Sequence, residues 1–512
     1  MSSRVVGGIL ALLVVAGAHG AAAQAGPSLP RQLSLGEALS LARQNSPTYR
    51  QTLNDEGPAA AAVRAAYGAL FPTLNSSTGI SYSRAGRQTF ANQVFSQGSN
   101  TVASNYNLSA SWSLSARELM APGQQKAQQR VVEENITGAG NTLTADVTTQ
   151  YLAVLRATAS VEVARQQLAR NEDFLTLARA RQQVGQTNII DVRTAEVNRG
   201  RSQVALLRAQ QAETDAKIEL IRRLGMPTQL DVDSIRLTET FQLVEPTYQL
   251  GTLLAAAGAD NPSIRAAEAQ HESARIGVRS AKAAYLPSFS ISTGLSGFTQ
   301  QYTDINPQLA GALASAQGTK SNCEFQNGIL SRLTSAHPSP NGGIIADCNS
   351  YAGLDATGGA LQADIAQSIR DRNSGWPFSF TRQPWSISAG LSLPLWDGFS
   401  RAQATSQAKA QEDDARESAR ARRLEVAGTV QSRLGAVRTA YQAAITLESN
   451  RTLAREQLQL AQDRYRIGQG TALEVADAQN AVTQAEADYV SAVYDYHQAV
   501  VALEAAVGRP LR

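Results

Sequence analysis

Cysteine and histidine are nearly absent: the 512-residue chain holds 2 Cys and 4 His. Cysteine-rich zinc sites and iron–sulfur ligation are excluded on that count. Aromatic residues are 6% against 43% hydrophobic residues in total. The chain is rich in Ala, Gln and Ser instead, which suits long, lightly packed helices rather than one thick core. Neither sign of charge is in excess, since 46 Lys and Arg face 43 Asp and Glu. A net charge of +3 is too small to hold nucleic acid nonspecifically, so no nucleic-acid partner is expected. His271 and His497 stand alone in helical stretches, without acids or cysteines at metal-ligand spacing. Gly-x-Ser-x-Gly, Gly-x-Gly-x-x-Gly and the P-loop are missing. The expectation is no enzyme, no cofactor and no metal.

Long hydrophobic runs are missing too. After residue 25 no apolar stretch is long enough for a membrane-spanning helix. At the N-terminus Arg4 precedes an apolar run from Val5 to Gly17, followed by Ala21 to Ala25. This pattern predicts a signal peptide over 1–23, with cleavage after Ala23 or Ala25, and an N-terminal tail over 24–35. The exported chain is then soluble, or it crosses a membrane as β-strands, whose sequence signal is weak. Cys323 and Cys348 lie in one Gly/Ser/Asn-rich segment of this exported chain, so a local disulfide is expected.

What is present is a duplication. Pro47 recurs as Pro262, Pro72 as Pro287 and Thr78-Gly79 as Thr293-Gly294, all at one offset. At a second, larger offset Val184-Gly185 recurs as Ile467-Gly468, Asp191-Val192 as Glu474-Val475, and Leu224-Gly225 as Val507-Gly508. Constant offsets over tens of residues define two copies of one unit, 36–227 and 251–510, joined by a linker over 228–250. The growth in offset places an inserted loop in the second copy, over 299–384.

Each copy reads helix, strand, strand, helices. Pro72 and Pro287 stop the first helices, expected over about 36–70 and 251–285. Trp385, Ile387, Ala389, Leu391, Leu393 and Leu395 alternate with Ser, Gly and Pro, which is the period of a strand. The strands are expected over 74–83, 107–116, 289–298 and 385–395, each about ten residues, enough for a tilted strand to cross a bilayer. Four strands cannot close in lipid, and an open edge is forbidden there, so membrane insertion requires oligomerisation. Residues 401–466 lack proline, and Leu453, Leu460 and Ile467 recur at heptad spacing. Beyond Gly468-Gln469-Gly470 the spacing resumes with Val475, Val482, Tyr489 and Tyr496, which describes an antiparallel coiled-coil hairpin. Leu177 and Val184 before Gly185 repeat the pattern in the first copy.

The segments Arg181-Gln182-Gln183-Val184-Gly185-Gln186-Thr187 through Asp191-Val192, Arg464-Tyr465-Arg466-Ile467-Gly468 through Glu474-Val475, and Pro394-Leu395-Trp396-Asp397-Gly398 together resemble the TolC-like outer membrane efflux proteins. The resemblance covers about 36–510. It implies a mixed α/β membrane protein: a trimeric 12-stranded β-barrel, four strands per chain, continued by a long periplasmic α-helical coiled-coil barrel. It implies the outer membrane of a Gram-negative bacterium, outer membrane lipid, a homotrimer, a periplasmic adaptor protein, and an inner-membrane transporter of the RND or ABC type. Val184, Gly185, Thr187, Ile467, Gly468 and Thr471 become adaptor-contacting hairpin tips. Glu474, Asp477 and Asp191 become the periplasmic constriction, and Tyr465 joins the network of the closed state. One departure is Gly470, which stands where the family places an arginine of that network. The chain ends soon after Pro510, so a long C-terminal extension is not expected. The function implied is a passive exit duct for small molecules or drugs. The alternatives are the outer membrane component of type I protein secretion, and an exported coiled-coil structural or adhesion protein without a pore.

Overall fold

The computed structural model describes residues 32–90, 93–97, 99–227, 235–333 and 343–511. The expected signal peptide and Pro338-Ser339-Pro340 lie outside them. The first half contains β1 (Gln32–Leu33), α1 (Leu35–Asn45), α2 (Pro47–Asn54), α3 (Glu56–Gly68), β2 (Thr73–Ser83), β3 (Gly86–Phe90), β4 (Gln93–Gln97), β5 (Thr101–Leu114), α4 (Ala116–Gln183) and α5 (Ile189–Arg223). The second contains β6 (Arg236–Leu237), α6 (Leu250–Asp260), α7 (Pro262–Ala283), β7 (Ser288–Tyr302), α8 (Asn306–Leu330), α9 (Cys348–Tyr351), α10 (Ala363–Arg372), β8 (Thr381–Arg382), β9 (Ser386–Ser392), α11 (Ser400–Arg466) and α12 (Ala472–Val507). Contacts divide the chain into two units. One holds Ala61–Lys126 and Ala274–Gln411; the other holds the stretch up to Ala60, Ala127–Ser273 and everything from Glu412 on.

The first unit is built on an antiparallel sheet in the order β2-β5-β7-β9. Its register sorts the side chains by face. Leu74 sits opposite Ala110, Leu108 opposite Leu295, Trp112 opposite Ile291, Leu114 opposite Phe289, and Phe289 opposite Leu391. The other face pairs Thr73 with Ser111, Ser109 with Gly294, Ser113 with Ser290, and Ser292 with Ser388. Yet the apolar face is bare: Leu74 is 71% and Leu391 73% exposed. Beside Gly297 the Tyr106 ring fills the place a side chain would take, 2.5 Å from where its Cβ would stand. The strand expected over 107–116 runs Thr101–Leu114, with Ala116 already starting α4, and the one expected over 289–298 is longer, reaching Tyr302. The last strand is shorter than 385–395. Pro384 and Pro394, on either side of it, cannot donate to the ladder, and the pairing of β7 passes from β9 to β8 with a one-residue slip between Gly294↔Ser386 and Gly297↔Arg382.

Two departures concern helices. The segment 299–384 is not one loop: α8, α9 and α10 lie within it, and Cys323 is disulfide-bonded to Cys348. Asn327 beside the bridge exchanges hydrogen bonds with the Ile345 backbone, donating at 2.8 Å and accepting at 3.0 Å. The helices expected over about 36–70 and 251–285 are three helices and two, since Pro47 and Pro262 each begin a new one where the missing N–H costs nothing.

The helical unit repeats its core. One cluster joins Ala38, Ala42, Val147, Tyr151, Val154, Leu220 and Leu224. Another joins Leu253, Ala257, Val430, Leu434, Val437, Leu503 and Val507. These are the same positions in the two copies. Burying each large aliphatic side chain contributes about 1.5–3 kcal/mol, so the clusters pin a short helix, α1 or α6, to each long pair. A capping box starts α1, with Ser34 Oγ accepting from Glu37 N and the Glu37 carboxylate accepting from Ser34 N. Each long pair ends on a glycine in the left-handed region, Gly225 (φ 73) and Gly508 (φ 92). A Cβ at Gly225 would stand 2.3 Å from the Asn45 carbonyl oxygen, and one at Gly508 2.8 Å from Asn261 Cα. Only glycine fits there, because both the backbone angle and the space demand it. Among the described residues no helix is long and apolar enough to cross a membrane.

Candidate functional site: the paired hairpin tips

The α4–α5 and α11–α12 hairpins turn at Gly185 (φ 73) and Gly468 (φ 83). Gln186 N donates to Arg181 O at 2.9 Å, and Gln469 N to Arg464 O at 2.9 Å, so both helices close with the same turn. The outgoing helices start on caps: Asn188 accepts from Ile190 N, and Thr471 accepts from Glu474 N at 3.2 Å. Val184 and Ile467, equivalent in the two copies, are each 68% exposed. Ile190 and Leu473 are exposed beside them, so both tips end in uncovered apolar side chains.

The three acids expected at a constriction all lie in or near the first turns of α5 and α12. Glu474 and Asp477 are exposed on α12. Asp191 is half-buried and accepts a hydrogen bond from the Thr187 hydroxyl. Anionic side chains are favoured at these positive helix ends. Asp191 and Glu474, predicted as equivalents from the repeat, occupy equivalent first-turn places.

Tyr465 is 3% exposed and sits in a cluster shared by all four long helices, with Phe174, Ala178, Val192, Ala195, Val475 and Val482. Its ring lies 5.4 Å from that of Phe174. Arg181, from the other tip, lies with its guanidinium carbon 4.5 Å from the Tyr465 ring centre and donates to the Tyr465 carbonyl. It also approaches Gly468, its Nη2 being 3.8 Å from where a Cβ would stand. One arginine therefore ties the first tip to the second. Sequence reasoning quoted Arg181 within a motif and gave it no role. A basic residue near a helix end reads as solvated, and its partner is 284 residues away. The missing arginine at 470 has a steric reason. A Cβ at Gly470 would meet Tyr465 N at 3.0 Å and Arg464 at 3.2 Å, so the tight turn admits no side chain without a shift.

Behind the tips the hairpins are joined by charge. Glu486 of α12 is 4% exposed and lies between Arg170 of α4 at 3.1 Å and Arg455 of α11 at 2.9 Å. Arg451 stacks on Tyr489, 3.9 Å from its centre. Within the first hairpin Glu196 bridges Arg179 and Arg193, and the hydrogen bond from Arg179 above all holds its carboxyl below the usual range. Among the described residues no group of acids, histidines or cysteines is placed to hold a metal ion. The site offers a cross-strapped pair of apolar tips, with carboxylates set one turn behind them.

The sequence profile described as outer membrane efflux protein matches residues 38–226 and 360–509. The toluene efflux pump outer membrane protein TtgF of Pseudomonas putida is 28% identical over 265 residues, 50% of this chain and 52% of that protein. The chain thus spans about half the length of the curated relatives it matches. Among solved structures, the outer membrane protein VceC of Vibrio cholerae superposes with a TM-score of 0.64 at 15% identity, covering 93% of this chain and 97% of its own. The open state of the MtrE outer membrane channel of Neisseria gonorrhoeae gives 0.61 at 17% identity, covering 93% and 89%. At these identities the likeness is one of fold.

Proposed function

The chain belongs to the outer membrane efflux protein family, and on that premise we propose that three copies form a passive exit duct for small organic molecules through the outer membrane of a Gram-negative bacterium. One observation carries the reading. The sheet gathers most of its large apolar side chains on one exposed face, turns mainly Ser, Asn and Gly to the other, and leaves β2 and β9 each with a free edge among the described residues. In lipid those edges must be paired. Three copies joined edge to edge would give twelve strands, with the apolar face toward hydrocarbon and the small polar face toward a lumen.

The helices support the same association. Ile190, Val197, Val204 and Ile218 form an uncovered stripe on α5. Leu453 and Leu460 on α11, with Ile467 just beyond its end, form another. Stripes at heptad spacing are seams for a second helix, and neighbouring copies would supply it.

At the tips Val184, Gly185, Thr187, Ile467, Gly468 and Thr471 would meet a periplasmic adaptor, joined to an inner-membrane transporter of the RND or ABC type that supplies the energy. Glu474, Asp477 and Asp191 would ring the entrance by threefold symmetry and slow anions. Efflux of small molecules is favoured over protein secretion by the efflux pumps to which the curated relatives belong. The test is single-channel conductance of the detergent-extracted protein in planar bilayers, with Glu474→Ala/Asp477→Ala beside the wild type. Conducting trimers with a weakened cation preference in the variant are expected. Selectivity unchanged by the double substitution would remove the acids from the entrance. Well-folded trimers that never conduct would leave a structural coiled-coil protein.

A further inference from the structure

The sheet-bearing unit is electrically lopsided. The antiparallel register brings the starts of β2 and β7 and the ends of β5 and β9 to one end of the sheet. The parts of α3, α4, α7 and α11 attached there hold eight Lys or Arg but two acids, Glu118 and Asp397. Both acids are already engaged. Glu118 accepts from Ser115 N at 2.7 Å, and Asp397 pairs with Arg401 at 2.7 Å. Arg64, Arg117, Arg279 and Lys282 are exposed and have no ion-pair partner among the described residues. Arg64 and Arg279 hold the same place in the two copies. The segments at the other end of the sheet are close to neutral, with seven basic and six acidic residues.

The same end displays large apolar rings to solvent: Tyr67, Phe71, Tyr285, Trp396 and Phe399. Two further cations lie over such rings, Lys126 at 5.3 Å from the Tyr67 centre and Arg401 at 4.8 Å from that of Tyr285. Exposed aromatic rings beside the end of an apolar sheet face suit the boundary between hydrocarbon and headgroups. Unpaired cations at that depth attract anionic headgroups. A free anion in solution would have no use for the rings.

We infer that this collar binds the phosphate headgroups of anionic glycerophospholipids in the leaflet nearest the helices. The inference rests on the membrane reading of the sheet. Each cation near such a surface adds about 1 kcal/mol, roughly a five-fold gain in binding, which salt screens. The experiment uses the full chain in vesicles of phosphatidylcholine alone and of phosphatidylcholine with phosphatidylglycerol. Flotation reports insertion, and mass analysis of detergent-extracted protein reports the lipid it retains. Wild-type protein should retain phosphatidylglycerol at least ten-fold above its share of the vesicle, and Arg64→Gln/Arg117→Gln/Arg279→Gln/Lys282→Gln should lose that enrichment while still floating. Inorganic phosphate at millimolar concentration should not compete. Equal retention by the variant overturns the inference, as does competition by phosphate. A variant that retains lipid normally but conducts anions less well places these cations in the lumen and overturns it too. A wild-type protein that does not float with either vesicle refutes the membrane reading itself. An intact far-ultraviolet helix signal in the variant separates these outcomes from misfolding.

Discussion

Removing the Arg181 side chain should open the proposed duct. Arg181→Ala deletes a hydrogen bond from a charged donor to the Tyr465 carbonyl and a cation placed 4.5 Å from the Tyr465 ring centre. The first is worth about 1.5–3 kcal/mol and the second about 0.5–2 kcal/mol. Arg181 is half-buried, so solvent screens part of this, and about 2–3 kcal/mol per chain is the figure to test. Each 1.4 kcal/mol is a factor of ten in an equilibrium. If the tips part when the entrance opens, each broken contact raises the open population roughly 30- to 140-fold. The assay is open probability in planar bilayers, with Arg181→Lys as the conservative variant. Lysine keeps the charge but loses the planar stack, so it should fall between wild type and alanine. In a Tyr465→Ala background Arg181→Ala should lose only the ring contribution of about 0.5–2 kcal/mol from its effect, because the hydrogen bond goes to a backbone carbonyl that alanine retains. An Arg181→Ala channel that gates like wild type and unfolds at the same temperature would refute the latch.

Three further outcomes follow from the helical unit. Glu486→Leu strands Arg170, whose side chain is 19% exposed, and Arg455 without their shared carboxylate. A loss of about 2–4 kcal/mol in unfolding free energy is expected, below the usual 3–5 for a broken buried pair because Arg455 reaches solvent; an unchanged melting temperature would contradict the role given to the triad. Gly225→Ala and Gly508→Ala force a Cβ against backbone at positive φ, and each should cost more than the roughly 1 kcal/mol of left-handed strain alone, read by urea titration, whereas Gly428→Ala, with open space around it, should be neutral or stabilising. Glu219 is hydrogen-bonded by Arg222 and then Arg223, which hold its carboxyl down at about 2 against an ordinary 4.5. A depressed carboxyl stabilises the fold above the ordinary value and loses that contribution as pH falls toward 2; the acid unfolding limb of Glu219→Gln should therefore be shallower than that of wild type over this window, and superimposable limbs would count against the pairing.

Most of the architecture was legible because the two copies share their buried positions. Val147, Tyr151 and Val154 match Val430, Leu434 and Val437 in both clusters, so the constant offset seen in the sequence is the offset of the core. The tips were legible for a similar reason: a reversal between two long helices needs a residue at positive φ, and Gly185 and Gly468 advertise it. Less was visible in 299–384. Its Gly, Ser and Asn signal turns, yet α8 forms over Asn306–Leu330, where Cys323 is buried and bridged to Cys348. Local composition does not record that a tertiary contact will override weak propensity. Glu486 was equally hidden, since one acid among the polar residues of a long helix looks solvated until two arginines from other helices close over it.

The sequence by itself determined the duplication, the alternation of the strands, the hairpin turns and the family. These are carried by spacing along one chain, where period and offset are properties of the residues alone. Only the tertiary structure decided which groups meet. It set Arg181 on Tyr465, 284 residues away, and left only tight space for a side chain at Gly470. It aligned the strand registers so that most large apolar side chains of the sheet fall on one face, and gathered unpaired cations at one end of that sheet. Those outcomes depend on distances between segments remote in sequence, and a contact between such segments leaves no periodic trace in either of them.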